Sequence, residues 1–341
     1  MAWGCGNQLR RYDVHGLILH VVPDEPALLE PVDRVLRPFI TETQFDEPDT
    51  FVLRLSRRTA RQEVAAVLPC IWSGQMPGGC PGRYLAAGLR RQIELTDRAI
   101  ASVDLASRQA RIVLLTDDDR WITFGCLTPL LTEMLHSRGW HVVHAACLRL
   151  GREPGGPVVL LCGSSGMGKT TTALALSRGQ MRLLADDAVF ARIDSNGAWV
   201  WGLGRPCKVH PHTRLLLGWL AELPSEPAVN AEEGVMAFSL LGDPTPRVAH
   251  PAVVLVLEPR NAVAHHLRPL HKNEALVHLV RENVRWLKGS AAFAAMAGIV
   301  RACGCYGLSV GPDLNVLHQA ILSLPELNHA LAHQSMAGGL V

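Results

Sequence analysis

Eight consecutive residues carry the clearest chemistry in this chain. Gly163-Ser164-Ser165-Gly166-Met167-Gly168-Lys169-Thr170 fits the pattern G-x-x-x-x-G-K-[S/T] without a mismatch. Glycines at these places let backbone N–H groups turn inward around an anionic phosphate, and a helix starting there adds its dipole. In such a loop Lys169 reaches the β- and γ-phosphates of a nucleotide and the Thr170 hydroxyl holds Mg²⁺. The flanking residues suit the motif. Pro157–Cys162 is an apolar strand leading in, and Thr170–Arg178 is a helix leading out, with Gly179 placed to cap it. The nucleotide-binding segment is therefore expected to run from Gly163 through Thr170 and the adjacent Thr171, with ATP and Mg²⁺ as cofactors.

Sixteen residues separate Lys169 from the pair Asp186-Asp187, which follows the apolar strand Arg182–Ala185. Acidic residues at a strand end beside a phosphate loop are where nucleotide-bound Mg²⁺ finds a carboxylate. Two adjacent carboxylates permit a division of labour: one holds the metal and the other accepts the proton of an attacking hydroxyl. Asp186 is the expected Mg²⁺ ligand beside Thr170, although the spacing alone allows either order. The plainer reading is that the aspartates cap a turn, as Asp often does. Many GTPases and motor ATPases separate the loop from the acidic strand by a long crossover. Here one helix and a few residues intervene, and a hairpin around Ser195-Asn196-Gly197 follows, since Asn-Gly tolerates positive φ.

This combination resembles the catalytic core of HPr kinase/phosphorylase, which is itself similar to the nucleotide-binding domain of phosphoenolpyruvate carboxykinases. The resemblance rests on Gly163–Thr170, the helix before Gly179, and Leu184-Ala185-Asp186-Asp187. It covers residues 140 to about 210 well and the remainder to about 325 loosely. In that family a histidine precedes the phosphate loop, and His144 occupies the matching place. The resemblance implies that Asp186 and Asp187 serve Mg²⁺ and the reacting hydroxyl, with His144 as a proton-handling neighbour. Two departures stand out: the N-terminal half is unlike the family's regulatory domain, and the glycine- and arginine-containing signature downstream is missing, which leaves phosphorylase activity open. The chain more closely resembles the HPr kinase-like enzymes of ribosomal-peptide clusters, including lasso-peptide kinases, which phosphorylate a serine of a precursor peptide. Their Gly-x-Pro-x-Lys-like loop is matched by Gly204-Arg205-Pro206-Cys207-Lys208. Arg205 and Lys208 are then candidate phosphate clamps, against the plainer reading of solvated surface cations.

Composition sets the frame. The chain has 341 residues, 48% hydrophobic and 19% charged, with a formal net charge of +2. Such balance argues against a basic nucleic-acid binder and against disorder. No apolar run approaches the roughly 18 residues of a membrane span. No apolar h-region of the signal-peptide kind follows Arg10 and Arg11, so a cytoplasmic protein is expected. The nine cysteines are odd in number and scattered, which suits free thiols. Cys303-Gly304-Cys305 lacks a second pair at zinc-ligand spacing. Of the fifteen histidines, His141, His210, His212, His265, His266 and His271 read as surface or satisfied core residues, since none falls in a metal motif.

The elements that must position the site follow from patterning. Residues 1–135 read as a β-rich domain expected to recognise substrate. Gly16–Val22 and Phe51–Leu55 are strands, Arg111–Leu115 and Trp121–Phe124 form a hairpin, and Ser73–Gly82 is a loop. Residues 136–330 read as the catalytic α/β domain on a mixed, twisted sheet. In it Val142–Leu150 is one strand, Ala188–Ile193 and Ala198–Gly202 form the hairpin, and Ala252–Leu257 is a buried strand. Helices are expected at 127–138, Thr213–Leu220, Asn273–Lys288, Ala291–Ala302 and Leu314–Leu324, and Leu223–Pro251 is expected to wrap the surface. Residues 331–341 read as a frayed tail. The function expected is an ATP-dependent kinase acting on a serine hydroxyl of a peptide or protein, with a homo-oligomer possible. The alternatives are a kinase of small-molecule hydroxyls and a non-catalytic nucleotide switch.

Overall fold

The computed structural model describes residues 9–42, 50–57, 68–76, 79–151, 156–229, 234–238, 248–261, 263–283 and 289–328. The tail at 331–341 lies outside them. The fold is mixed α/β with several sheets. The chain divides into two compact units, Met1–Arg138 with Pro227–Val235, and Gly139–Glu226 with Met236–Val341.

The first unit is built on strands β1 (Arg10–Val14), β2 (Leu17–Pro23), β3 (Phe51–Arg57), β4 (Cys70–Gln75), β5 (Pro81–Ala87), β6 (Arg90–Leu95), β7 (Ala99–Asp104) and β8 (Gln109–Leu114), with helices α1 (Glu30–Leu36) and α2 (Thr128–His136). The strands form one sheet in the order β1-β2-β3-β8-β7-β6-β5-β4. The β2–β3 and β3–β8 pairs are parallel, and the meander from β8 to β4 is antiparallel. Two expectations fail here. Trp121–Phe124 is not a strand: Ile122–Leu127 makes a π-helical turn that runs straight into α2, and all six of its residues are buried. A short apolar run buried on every side carries no periodicity, so strand and helix look alike in it. Nor is Ser73–Gly82 a loop throughout, because β4 and β5 take its two ends. β4 is an edge strand with mostly exposed side chains, so it shows no apolar alternation to read.

The second unit holds β9 (His141–Val143), β10 (Ala146–Leu150), β11 (Val158–Cys162), α3 (Lys169–Ser177), β12 (Met181–Ala185), β13 (Val189–Asp194), β14 (Gly197–Gly202), β15 (Cys207–Val209), α4 (Pro211–Leu216), β16 (Ser225–Pro227), β17 (Met236–Phe238), β18 (Pro251–Glu258), β19 (His266–Pro269), α5 (Lys272–Asn283), α6 (Gly289–Ala302), β20 (Gly304–Ser309) and α7 (Leu317–Leu322). Its main sheet has the order β12-β10-β11-β18-β20-β19. β11, β18 and β20 are parallel, whereas β10 runs antiparallel to both β11 and β12. Both faces are covered. Leu148, Leu161, Leu255 and Leu308 pack with Leu174 of α3 and Leu317 of α7, and Cys147, Leu160 and Val256 pack with Leu279 of α5 and Ile299 of α6. Double burial is why these strands read as unbroken apolar runs.

The single strand expected over Val142–Leu150 is two. β9 pairs with β13 in the sheet β14-β13-β9, while β10 joins the main sheet, and the chain breaks at His144-Ala145 to pass between them. The apolar pattern runs through the break, so nothing local marks it. Gly179 follows α3 but is not left-handed; among the described glycines with positive φ it does not occur. In the β13–β14 hairpin Gly197 alone has positive φ, at 119°. Part of Leu223–Pro251 is core, because Phe238 is buried. β19 and β20 escape a sequence reading, since Gly304-Cys-Tyr-Gly carries little strand signal. The helix expected at Leu314–Leu324 is confined to α7, and residues 284–288 of that expected over Asn273–Lys288 lie outside the described ones.

The end of β14 presses on the end of β12. A Cβ on Gly202 would meet the Ala185 Cβ at 2.6 Å and the Leu184 carbonyl oxygen at 2.9 Å. Only a glycine permits that approach, which sets the following Gly204–Lys208 segment over Asp186-Asp187. Gly202→Ala is expected to destabilise the protein by about 1–3 kcal/mol through overpacking, read as a lower urea midpoint; an unchanged midpoint would show that the contact is compliant.

Candidate active site

Topology collects the site. β12 runs parallel to β11 because each is antiparallel to β10. The carboxyl ends of β11, β12 and β18 and the start of β10 therefore share one edge of the sheet. That edge is the usual ligand side of such sheets. The glycine loop leaves β11 there, Asp186-Asp187 leave β12, and His144 precedes β10.

Gly166 and Gly168 sit at positive φ, 82° and 93°. Gly168 is the left-handed N-cap of α3, and no side chain caps that helix. Its first-turn amides are consequently open to an anion. Ser164, Ser165 and Gly166 are exposed, Gly163 is buried, and Met167 packs partly into the core. Lys169 is buried and curls back beneath the loop. Its Nζ donates to the Gly163 carbonyl at 2.7 Å and to that of Ser164 at 3.4 Å. An ammonium has three donors, so one remains for a phosphate.

The two aspartates differ. Asp186 is 9% exposed. Its Oδ2 accepts from the Thr170 hydroxyl at 3.1 Å, and its Oδ1 is buried with no hydrogen-bond partner. Burial, and then the neighbouring Asp187 charge, push its carboxyl up to about 6. Asp187 lies the other way. Withdrawal from solvent opposes its ionisation, but the Arg205 guanidinium and His144 outweigh that and hold it well below the usual carboxylate range. His144 Nδ1 is 2.6 Å from Asp187 Oδ1, and Arg205 donates to Asp187 Oδ2. Burial raises one carboxyl and the paired cations lower the other, so the two neighbours differ in how readily they ionise.

The structure thus brings together Lys169, Thr170, Asp186, Asp187, His144 and Arg205. Thr171 points its hydroxyl away: it is buried and pairs with Thr213 Oγ1 at 2.7 Å, leaving only its backbone to face the loop mouth. Lys208 lies on β15, between the buried Cys207 and Val209. Strand alternation places it on the opposite face from those two.

Two contributors come from α5, more than a hundred residues downstream. Asn283 is buried; its Oδ1 accepts the His144 backbone N–H at 2.7 Å, and its Nδ2 donates to the Leu279 carbonyl at 2.8 Å. The bond pins the strand break that presents the imidazole. Glu282 accepts from the Ser164 hydroxyl at 2.7 Å. The one signal for Asn283 was a polar residue four places after Leu279, on the helix's apolar face.

Mg²⁺ fits the donor set. A hydroxyl and a carboxylate with a vacant buried oxygen are hard ligands, and Mg²⁺ characteristically takes one or two protein ligands and fills the rest with phosphate and water. Among the described residues no group of three His, Cys, Asp or Glu could hold a metal. Cys303 and Cys305 are buried free thiols in the core. No helix among the described residues is long and apolar enough to cross a membrane. No known family model matches the chain, and no curated protein matches it at significant similarity.

The pH dependence of stability follows from Asp186. Its folded carboxyl keeps its proton to about pH 6, whereas the unfolded chain releases it near 4. The folded state binds more protons at Asp186 between these values, so the stability this group contributes is present below about pH 4 and lost as pH rises through about 6. Asp186→Asn is expected to raise stability above pH 6, by an amount on the order of 2–3 kcal/mol. It should also abolish any stabilisation by added Mg²⁺. Denaturation melts from pH 4 to 8 with and without Mg²⁺ test both; an identical pH profile for the two proteins would refute the assignment.

Proposed function

We propose that the chain is an ATP-dependent phosphotransferase of HPr kinase-like fold that transfers the γ-phosphoryl group to a serine hydroxyl of a peptide or protein, and that it works in the cytoplasm. The observation that carries this reading is that two adjacent aspartates beside a lysine-bearing glycine loop have different partners, Asp186 the Thr170 hydroxyl and Asp187 the His144 and Arg205 side chains. A nucleotide switch needs one carboxylate for its metal. Here a second carboxylate is kept ionised and oriented by His144 and Arg205, with nothing to do in a pure binder.

In this reading the loop amides and the third N–H of Lys169 hold the phosphate chain. Thr170 and Asp186 hold Mg²⁺, which when bound neutralises phosphate charge. Asp187 accepts the hydrogen bond of the acceptor hydroxyl and orients its oxygen in line with the phosphorus. The oxygen forms the new P–O bond, the bond to the leaving diphosphate breaks, and the proton passes to Asp187. The low basicity of Asp187 is no obstacle, because phosphoryl transfer through a loose transition state demands positioning more than proton removal. His144 donates its Nδ1–H to Asp187 and so steadies the carboxylate. Arg205 places a guanidinium where negative charge develops.

A peptide acceptor is supported by the resemblance of the motifs to peptide serine kinases. It is supported as well by the exposed edge strand β4 of the first unit, to which an extended chain can add. Lys169→Ala and Asp187→Asn are each expected to lower transfer of labelled γ-phosphate to serine-containing peptides by about 10²–10⁴-fold. The Asp187→Asn protein should still bind ATP. Transfer at the unaltered rate in either variant would overturn the mechanism.

A further inference from the structure

β18 lies beside β11 in the sheet and runs parallel to it. The strand ends at Glu258, and Pro259-Arg260 follow at the same edge as the glycine loop. A terminal guanidinium nitrogen of Arg260 stands 3.9 Å from where a Cβ on Gly168 would be. Gly168 is the N-cap of α3, so this guanidinium lies close to the start of that helix. Arg260 is exposed, and among the described residues it has no ion pair or hydrogen-bond partner.

The other cations of the site differ in this respect. Arg205 is spent on Asp187, and Lys169 is tied to two loop carbonyls. An unneutralised guanidinium beside a helix N-terminus is doubly suited to an anion. The helix end contributes partial positive charge, and the planar fork matches two phosphate oxygens. Surface arginines are commonly just solvated. This one is distinguished by having no counter-charge among the described residues, at a place that offers several other anion donors.

Resting on the nucleotide-binding reading above, we propose that Arg260 is a direct ligand of the nucleotide's phosphate chain. It closes over the loop from the β18 side and selects di- and triphosphates over monophosphates. Arg205 then serves chiefly the acceptor side, through Asp187. No sequence motif contains Arg260; it lies 91 positions beyond Lys169, and only strand order brings the two together.

The test uses the full-length protein and fluorescent ATP, ADP and AMP analogues titrated against wild type, Arg260→Ala, Arg260→Lys and Lys169→Ala. Arg260→Ala is expected to weaken ATP and ADP binding by about 10- to 100-fold and leave AMP affinity within about twofold. Arg260→Lys should recover part of the loss, since charge returns without the fork. The residue is exposed, so the thermal midpoint should not move. Undiminished ATP affinity in Arg260→Ala, with Lys169→Ala impaired, would overturn this assignment alone. Equal losses for AMP and ATP would also overturn it, placing Arg260 on the nucleoside. Failure of the wild type to bind any of the nucleotides would remove the nucleotide-binding reading and this inference with it.

Discussion

A carboxylate flanked by positive charge and hydrogen-bond donors is held ionised. Asp187, half-buried, is held so by Arg205 on one oxygen and His144 on the other. Much of the second unit can be understood as the apparatus that delivers those two partners. Arg205 arrives because the β13–β14 hairpin folds back and Gly202 lets the end of β14 press on β12. His144 arrives because the chain changes sheets between β9 and β10, and Asn283 of α5 holds the N–H exposed by that change. Asp186 beside it bears a consequence: burial, and then the ionised neighbour, push its own carboxyl up.

The charge distribution follows from this arrangement. A near-neutral chain has no field with which to gather a polyanion. Its useful cations are local and differently committed. Lys169 is held under the loop by carbonyls, Arg205 is paired with a carboxylate, and Arg260 stands unpaired at the mouth. Three cations at one sheet edge, with different partners, can act on different parts of one phosphorylated ligand.

How much of this was legible depends on the range of the interaction. Strands β2, β3, β11, β12 and β18 and helices α2, α3 and α6 could be read because each carries its own burial pattern. β4, β19 and β20 could not. The first is exposed along its length, and the others are too short or too rich in glycine to show alternation. Ile122–Leu127 misled because complete burial erases periodicity. Within the site, the loop and the aspartates belong to a compact segment whose spacing is visible in the sequence. Asn283, Glu282 and Arg260 lie far along the chain and are ordinary residues in ordinary local contexts.

By itself the sequence determined the residue types and local geometry of the glycine loop, the adjacency of two carboxylates at a strand end, and an α/β second half. These are consequences of short-range stereochemistry. Glycines permit one backbone path, and an apolar run between breakers makes a buried strand. Which aspartate is ionised, which histidine touches it, which arginine is paired and which is free were decided by the tertiary structure alone. Those properties are set by burial and by charges a few ångströms away, and strand order chooses the neighbours. Antiparallel β10 between β11 and β12, and parallel β18 on the other side, place residues from four distant parts of the chain at one edge. No local pattern encodes that order.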